Sequence, residues 1–126
     1  METVKKIKII YAEDSRSLSH LVISKLSAEN FDVMHFKSGK GVVDAVISNQ
    51  PSVVILDNEM PEINGMTILE ELKNTDSTKN IPVIFFTTIK DQESVIKCLK
   101  LGVTDYIVKD SLALSNLIPR IKKYIS

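Results

Sequence analysis

The chain has one cysteine, no tryptophan, no net charge and no long apolar run. Because the single cysteine, Cys98, cannot form an internal disulfide, the composition fits a reducing compartment. Lysine plus arginine and aspartate plus glutamate both number 16, so no overall field attracts nucleic acid or an anionic membrane. The N-terminus lacks the apolar segment of a signal peptide, and no run approaches membrane-spanning length. We therefore expect a cytoplasmic protein that binds neither nucleic acid nor membrane directly.

The composition is that of an ordinary globular domain, with 44% hydrophobic and 25% charged residues. At 126 residues the chain is long enough to build one hydrophobic core without disulfides or a structural metal. No repeat, low-complexity tract or long linker divides it. We expect a single domain over residues 1–126.

Strand and helix patterns alternate along the whole chain. Apolar runs predict strands over residues 7–11, 31–36, 53–56, 83–86 and 105–108, and each is followed by apolar residues at helical spacing. Strands separated by helical crossovers pair in parallel with right-handed connections. The pattern therefore predicts a doubly wound (βα)5 α/β fold with a five-stranded parallel sheet. Pro119 falls inside the last helix pattern, so we expect a kink there or a start after Leu112.

The most informative strand is Val53–Leu56, which ends at Asp57. Four apolar residues without polar alternation are typical of a strand covered on both faces. Pro61 cannot continue a strand, so the chain must turn soon after Asp57. Open α/β sheets bind ligands at the carboxyl ends of their strands. Asp57 is therefore the first candidate for a functional residue.

Polar residues also end other predicted strands: Glu13 and Asp14, Thr87, and Lys109. The carboxyl ends of parallel strands lie on one edge, so these side chains should converge with Asp57. Three neighbouring carboxylates raise one another's pKa, and a hard divalent ion such as Mg²⁺ relieves that conflict. Thr87 and Lys109 could hold the oxygens of a phosphoryl group that the Asp57 carboxylate attacks. This chemistry favours phosphoryl transfer.

Taken together, these motifs resemble the receiver domain of a two-component response regulator. The resemblance covers essentially the whole chain and includes Glu13-Asp14, the run from Leu56 to Pro61, Gly65, the run from Pro82 to Thr87, and the run from Asp105 to Lys109. It implies the flavodoxin-like strand order 2-1-3-4-5, which periodicity alone does not decide. It also implies that a histidine kinase or a phosphotransfer protein phosphorylates Asp57.

The resemblance implies a metal site and a switch. Asp14, Asp57 and the Glu59 backbone carbonyl would bind Mg²⁺, or Mn²⁺ in its place, and Glu13 would act through water. Thr87 and Lys109 would hold phosphoryl oxygens. Tyr106 would turn inward when Thr87 moves toward the phosphate, changing the surface formed by the fourth helix, fifth strand and fifth helix. That surface would reach a downstream effector, and a phosphorylation-dependent dimer is a further possibility. Such a domain is not an enzyme beyond its own phosphorylation and dephosphorylation.

Two residues depart from the family pattern. Asp110 follows Lys109 where proline is frequent, and Thr88 stands where a small residue is usual. They leave open a pseudo-receiver, an interaction module that signals without phosphate.

Two other functional classes fit less well. A haloacid-dehalogenase-type phosphatase would need an aspartate at Glu59. An FMN carrier would need a glycine-rich loop where the chain has Glu13-Asp14.

Overall fold

Five parallel strands form one sheet in the order β2-β1-β3-β4-β5, which confirms the predicted doubly wound fold and strand order. The computed structural model describes residues 6–110 and 112–125. Residues 1–5, Ser111 and Ser126 lie outside the described residues. The strands and helices alternate as β1 (Lys8–Ala12), α1 (Arg16–Ala28), β2 (Asp32–Phe36), α2 (Val42–Asn49), β3 (Val53–Leu56), α3 (Gly65–Lys73), β4 (Val83–Thr87), α4 (Gln92–Lys100), β5 (Asp105–Val108) and α5 (Ala113–Ile125).

The predicted strand boundaries agree with these bounds to within one residue. The small differences are at β1, which begins and ends one residue later than expected, at β2, which begins one residue later, and at β4, which includes Thr87. Strand ends are poorly defined by sequence because pairing with a neighbour, not local composition, decides where the ladder stops.

Two apolar layers cover the sheet. Alternate side chains of each strand point to opposite faces, so β1 contributes Ile9 and Tyr11 to one layer and Ile10 and Ala12 to the other. The first layer lies under α1 and α5, and the second lies under α2, α3 and α4. Every residue of β3 is fully buried, as expected for a central strand with helices on both sides. The sheet is therefore a rigid support for the residues at its carboxyl edge.

The loop after β3 is held by close backbone contacts. A Cβ added at Gly65 would lie 2.4 Å from the Asp57 carbonyl oxygen, so only glycine fits where α3 begins. Asn64 caps α3, because its side chain accepts a hydrogen bond of 2.9 Å from the Thr67 N–H. Asn58 accepts a second bond of 3.0 Å from the Met66 N–H. These contacts fix the path of the chain on leaving Asp57.

The last helix begins at Ala113. This agrees with one of the two expectations that Pro119 raised, a helix start after Leu112. Asp110 stabilises the turn before α5, because its side chain accepts a hydrogen bond of 2.9 Å from the Leu112 N–H. The Asp110 carbonyl also accepts a bond of 3.1 Å from Ala113. Aspartate is therefore compatible with the turn that joins Lys109 to α5.

In the part of the chain that the structure describes, no helix combines the length and the apolar character needed to cross a membrane.

Candidate functional site

Three carboxylates meet at the carboxyl edge of the sheet. Glu13 and Asp14 follow β1, Asp57 follows β3, and each offers an oxygen within 4.8 Å of the others. The strands β1 and β3 are hydrogen-bonded neighbours, with Ala12 paired to Leu56, so the residues that follow them leave the sheet side by side. Asp14 is exposed, whereas Glu13 and Asp57 are buried. The site is therefore open to solvent on the side of Asp14.

One ammonium group faces two of these carboxylates. Lys109, which follows β5, places its Nζ atom 2.8 Å from Asp57 Oδ2 and 2.5 Å from Glu13 Oε1. Burial disfavours the charged amine, but hydrogen bonds and charge from Asp57 and Glu13 outweigh that effect and raise the pKa of Lys109. The ammonium is also held over the Phe86 ring at 5.7 Å from its centroid. Lys109 therefore stays charged within the site.

Glu13 is the most deeply buried of the three acids. Only 1% of its surface is exposed, and burial raises the pKa of its carboxyl group despite the opposing contacts with Lys109 and Ser15. Its Oε2 atom accepts a hydrogen bond of 3.1 Å from the Ser15 N–H. Its Oε1 atom is in ion-pair contact with Lys109 but lacks a partner in hydrogen-bonding geometry. A carboxylate oxygen has more than one acceptor site, so Oε1 can accept a hydrogen bond in addition to its contact with Lys109.

The Asp57 carboxylate is oriented by its own loop and by Lys109. Asp57 Oδ1 accepts a hydrogen bond of 3.3 Å from the Glu59 N–H, and Oδ2 accepts the bond from Lys109. The Glu59 side chain itself points to solvent and is exposed. Both carboxylate oxygens of Asp57 are thus held at the strand end and turned toward the acidic cluster.

Thr87 and Tyr106 are linked through the loop after β4. Thr87 is fully buried, and its Oγ1 atom accepts a hydrogen bond of 3.3 Å from the Ile89 N–H. The hydroxyl of Tyr106, a residue of β5, donates to the Ile89 carbonyl at 2.5 Å, and its ring lies 5.9 Å from that of Phe85. Both side chains predicted to form the switch therefore hold the same residue, Ile89. Thr88, which lies between Thr87 and Ile89 in this loop, is exposed.

The donor set fits a hard divalent cation. Three oxygen ligands lie close together, a single lysine neutralises part of their charge, and Glu13 Oε1 is left with unused acceptor capacity. Mg²⁺ prefers one or two carboxylates together with several waters, and the exposed position of Asp14 leaves room for water. The residues present at this edge are therefore suited to Mg²⁺.

Two aromatic residues beside Glu13 were not assigned a role from the sequence. His35 Nε2 lies 2.9 Å from the Glu13 carbonyl oxygen and donates to it, since a carbonyl only accepts. The Tyr11 and His35 rings are 5.5 Å apart, and these two residues pair across β1 and β2. The sequence did offer a signal for Tyr11. It is a polar aromatic residue in a buried strand, two positions before Glu13.

The chain belongs to the response regulator receiver domain family. The family model matches residues 9–122, which is most of the chain and includes all the site residues described above. Receiver domains are signalling domains of two-component systems, and they bind Mg²⁺ at an acidic site like the Glu13, Asp14 and Asp57 cluster. Family members work in general with histidine kinases and effector domains. Membership decides against the haloacid-dehalogenase-type phosphatase and the FMN carrier.

Individual relatives agree with this assignment. The chain is 32% identical over 102 residues to the response regulator ArlR of Staphylococcus saprophyticus, covering 81% of this chain and 45% of that protein. It is 30% identical over 122 residues to SaeR of Staphylococcus aureus, covering 92% of this chain and 52% of that protein. A solved structure of a LuxR-family DNA-binding response regulator from Staphylococcus aureus aligns with a TM-score of 0.86 at 27% identity, covering 95% of this chain and 99% of that one. The chain spans about half the length of the curated relatives it matches.

Proposed function

We propose that this chain is the phosphoacceptor domain of a two-component phosphorelay and that Asp57 is the residue phosphorylated. The observation that carries the proposal is the position of Lys109, whose Nζ atom lies 2.8 Å from Asp57 Oδ2 beside two further carboxylates. An aspartate at this edge of the sheet, with a fixed ammonium beside it, is prepared for phosphoryl transfer. The donor would be a phosphohistidine of a sensor kinase or of a phosphotransfer protein.

The reaction uses few protein groups. A carboxylate oxygen of Asp57 forms a bond to phosphorus while the phosphorus–nitrogen bond of phosphohistidine breaks, and the electron pair of that bond stays on the imidazole. Lys109 moves its ammonium from the Asp57 carboxylate to a phosphoryl oxygen, where it balances the added charge. Thr87 donates its hydroxyl to another phosphoryl oxygen, and its movement toward that oxygen would weaken the hydrogen bond that it accepts from the Ile89 N–H.

Asp14, Asp57 and the Glu59 carbonyl would hold Mg²⁺, with Glu13 acting through water. When bound, the ion supplies positive charge that offsets the carboxylates and the phosphoryl oxygens. Mn²⁺ could take its place because it accepts the same oxygen ligands. The protein's own contribution is to keep the acids converged and to exclude bulk water from Glu13.

The signal would leave the site through Ile89. Because Thr87 and Tyr106 both hydrogen-bond this residue, a Thr87 hydroxyl drawn to the phosphoryl group loosens one contact and frees the ring of Tyr106 to turn inward. The surface formed by α4, β5 and α5 then changes and is read by an effector domain or protein, or by a second copy of the chain. The proposal includes a cytoplasmic location, because response regulators are typically cytoplasmic.

Mass spectrometry after incubation with acetyl phosphate and Mg²⁺ tests the proposal. We expect a mass gain of one phosphoryl group that is lost in Asp57→Asn and in excess chelator. Asp76→Asn is the matched control, because the Asp76 side chain is 99% exposed on a distant loop, and it should label normally. A pseudo-receiver would give no mass gain, and beryllofluoride with Mg²⁺ would leave the NMR resonances of Ile89 and Tyr106 unchanged.

A further inference from the structure

Two buried side-chain polar atoms lack a hydrogen-bond partner within the described residues, and both lie on β1 or directly after it. They are Tyr11 Oη and Glu13 Oε1. Residues two apart along a strand point to the same face, and the Glu13 N–H still bonds to the Phe36 carbonyl at 2.9 Å, so the ladder extends to Glu13. The Tyr11 hydroxyl, which has no hydrogen-bond partner among the described residues, therefore lies on the same face of the sheet as the Glu13 carboxylate.

Tyr11 belongs to the apolar layer that lies next to the acidic cluster. Tyr11 shares its apolar layer with Phe86, and Phe86 carries the Lys109 ammonium at 5.7 Å from its centroid. Burial, and then the charges of Glu13 and Asp57, raise the pKa of the Tyr11 hydroxyl. The hydroxyl is thus neutral and can donate a hydrogen bond.

A buried hydroxyl without a partner is costly, and proteins commonly satisfy such a group with an internal water. Glu13 Oε1 is paired with Lys109 at 2.5 Å, and as a carboxylate oxygen it can accept one further hydrogen bond. A water between the two groups would accept from one and donate to the other. Tyr11 is fully buried, so bulk solvent cannot satisfy its hydroxyl, whereas an internal water can.

We propose that Tyr11 is a positioning residue whose hydroxyl holds the Glu13 carboxylate through one internal water. His35 assists from the backbone side, since it donates to the Glu13 carbonyl and packs against the Tyr11 ring. The carboxylate is then fixed in the orientation from which it acts on metal-bound water. This last consequence rests on the proposed function, whereas the hydrogen bond itself does not.

Thermal unfolding of the metal-free protein tests the hydrogen bond. Tyr11→Phe keeps the ring and removes only the hydroxyl, so it should lower the unfolding midpoint if that hydroxyl is bonded and raise it if the hydroxyl is buried without a partner. Tyr124→Phe is the matched control, because its hydroxyl donates to Asp105 at 3.1 Å, away from the acidic cluster. A raised midpoint for Tyr11→Phe beside a lowered one for Tyr124→Phe overturns the proposal.

Mg²⁺ titration followed by NMR separates positioning from packing. Residues that orient metal ligands typically change metal affinity by about tenfold or more, so we expect Tyr11→Phe to weaken Mg²⁺ binding by about tenfold. In the Glu13→Ala background, the same substitution should change affinity by less than about twofold, because the group it orients is gone. A loss of equal size in both backgrounds, or no loss in either, overturns the proposal.

The unsubstituted chain keeps the two proposals distinguishable. If it shows no saturable Mg²⁺ binding, the proposed function fails, and the thermal comparison alone decides whether the Tyr11 hydroxyl is bonded. If it binds Mg²⁺ and accepts a phosphoryl group while Tyr11→Phe matches it in every measurement, only the role of Tyr11 fails.

Discussion

Lys109 Nζ and Asp57 Oδ2 lie 2.8 Å apart although 52 residues separate them along the chain. The same ammonium is also in contact with Glu13, so one cation stabilises two buried carboxylates. This relationship makes the site sensitive to any change in its charges.

Lys109→Met should destabilise the metal-free protein. It leaves Glu13 and Asp57 without a compensating charge, which we expect to lower the free energy of unfolding by about 1–3 kcal/mol. Saturating Mg²⁺ should stabilise the variant more than the unsubstituted protein, because the ion no longer competes with an ammonium. Denaturant unfolding with and without Mg²⁺ measures both effects. An Mg²⁺ response equal to that of the unsubstituted protein would show that Lys109 and the ion do not share ligands.

Glu13→Gln should stabilise the metal-free protein at neutral pH. Burial raises the pKa of Glu13, so the native state binds more protons than the unfolded state above the ordinary pKa of 4.5. The stability of the unsubstituted protein therefore falls as pH rises through the window above 4.5, at about 1.4 kcal/mol for each unit of pKa difference.

The glutamine variant lacks this titration, so its advantage should shrink as pH falls toward 4.5. Urea unfolding at several pH values below 8, in the presence of a chelator, gives the comparison. A difference that stays constant across this range would mean that the Glu13 carboxyl titrates alike in both states.

Gly65→Ala should displace the loop that carries Asp57, although Gly65 is not itself a site residue. The added Cβ would lie 2.4 Å from the Asp57 carbonyl oxygen and 3.0 Å from Asn58 Cα, and backbone cannot yield as a side chain does. We expect a loss of about 1–3 kcal/mol in stability, together with a slower phosphorylation of Asp57 by acetyl phosphate. Thr67→Ala, at an exposed position in the same helix, should stay within about 0.5 kcal/mol. Equal behaviour of the two variants would mean that the loop tolerates the added atom.

Tyr106→Phe should release the loop after β4. It removes the hydrogen bond of 2.5 Å to the Ile89 carbonyl, at a cost of about 0.5–1.5 kcal/mol. Amide exchange should accelerate at Ile89 and its neighbours, whereas residues of β2 on the far edge of the sheet should be unaffected. Protection at Ile89 that matches the unsubstituted protein would show that Tyr106 does not restrain this loop.

The sequence predicted the helices but not which face of each helix is buried. Apolar spacing correctly indicated α4, yet Ile96 and Leu99 from that pattern are 43% and 57% exposed, and Cys98 is the fully buried residue of the helix. Spacing predicts that a helix forms but not how it is rotated on the sheet, because packing against β4 and β5 sets the rotation. Leu21 of α1 is likewise 51% exposed.

The candidate site was more predictable than the core, for a topological reason. Parallel strands joined by right-handed crossovers place all their carboxyl ends on one edge, so polar residues at those ends must be neighbours. Glu13, Asp14, Asp57 and Lys109 were identified in this way, and their assigned functions in phosphoryl transfer remain predictions. His35 was not identified, because its contact with the Glu13 carbonyl depends on the pairing of β1 with β2.

By itself the sequence determined the alternation of strands and helices, the parallel sheet, and the acidic, hydroxyl and lysine side chains at the carboxyl edge of that sheet. These follow from apolar periodicity and from polar residues at strand ends, which are local properties of the chain. The tertiary structure alone decided which carboxylates share Lys109, that Glu13 is sealed from solvent, and that Thr87 and Tyr106 both contact Ile89. Such facts depend on side-chain directions and distances across neighbouring strands, which only the packed sheet defines.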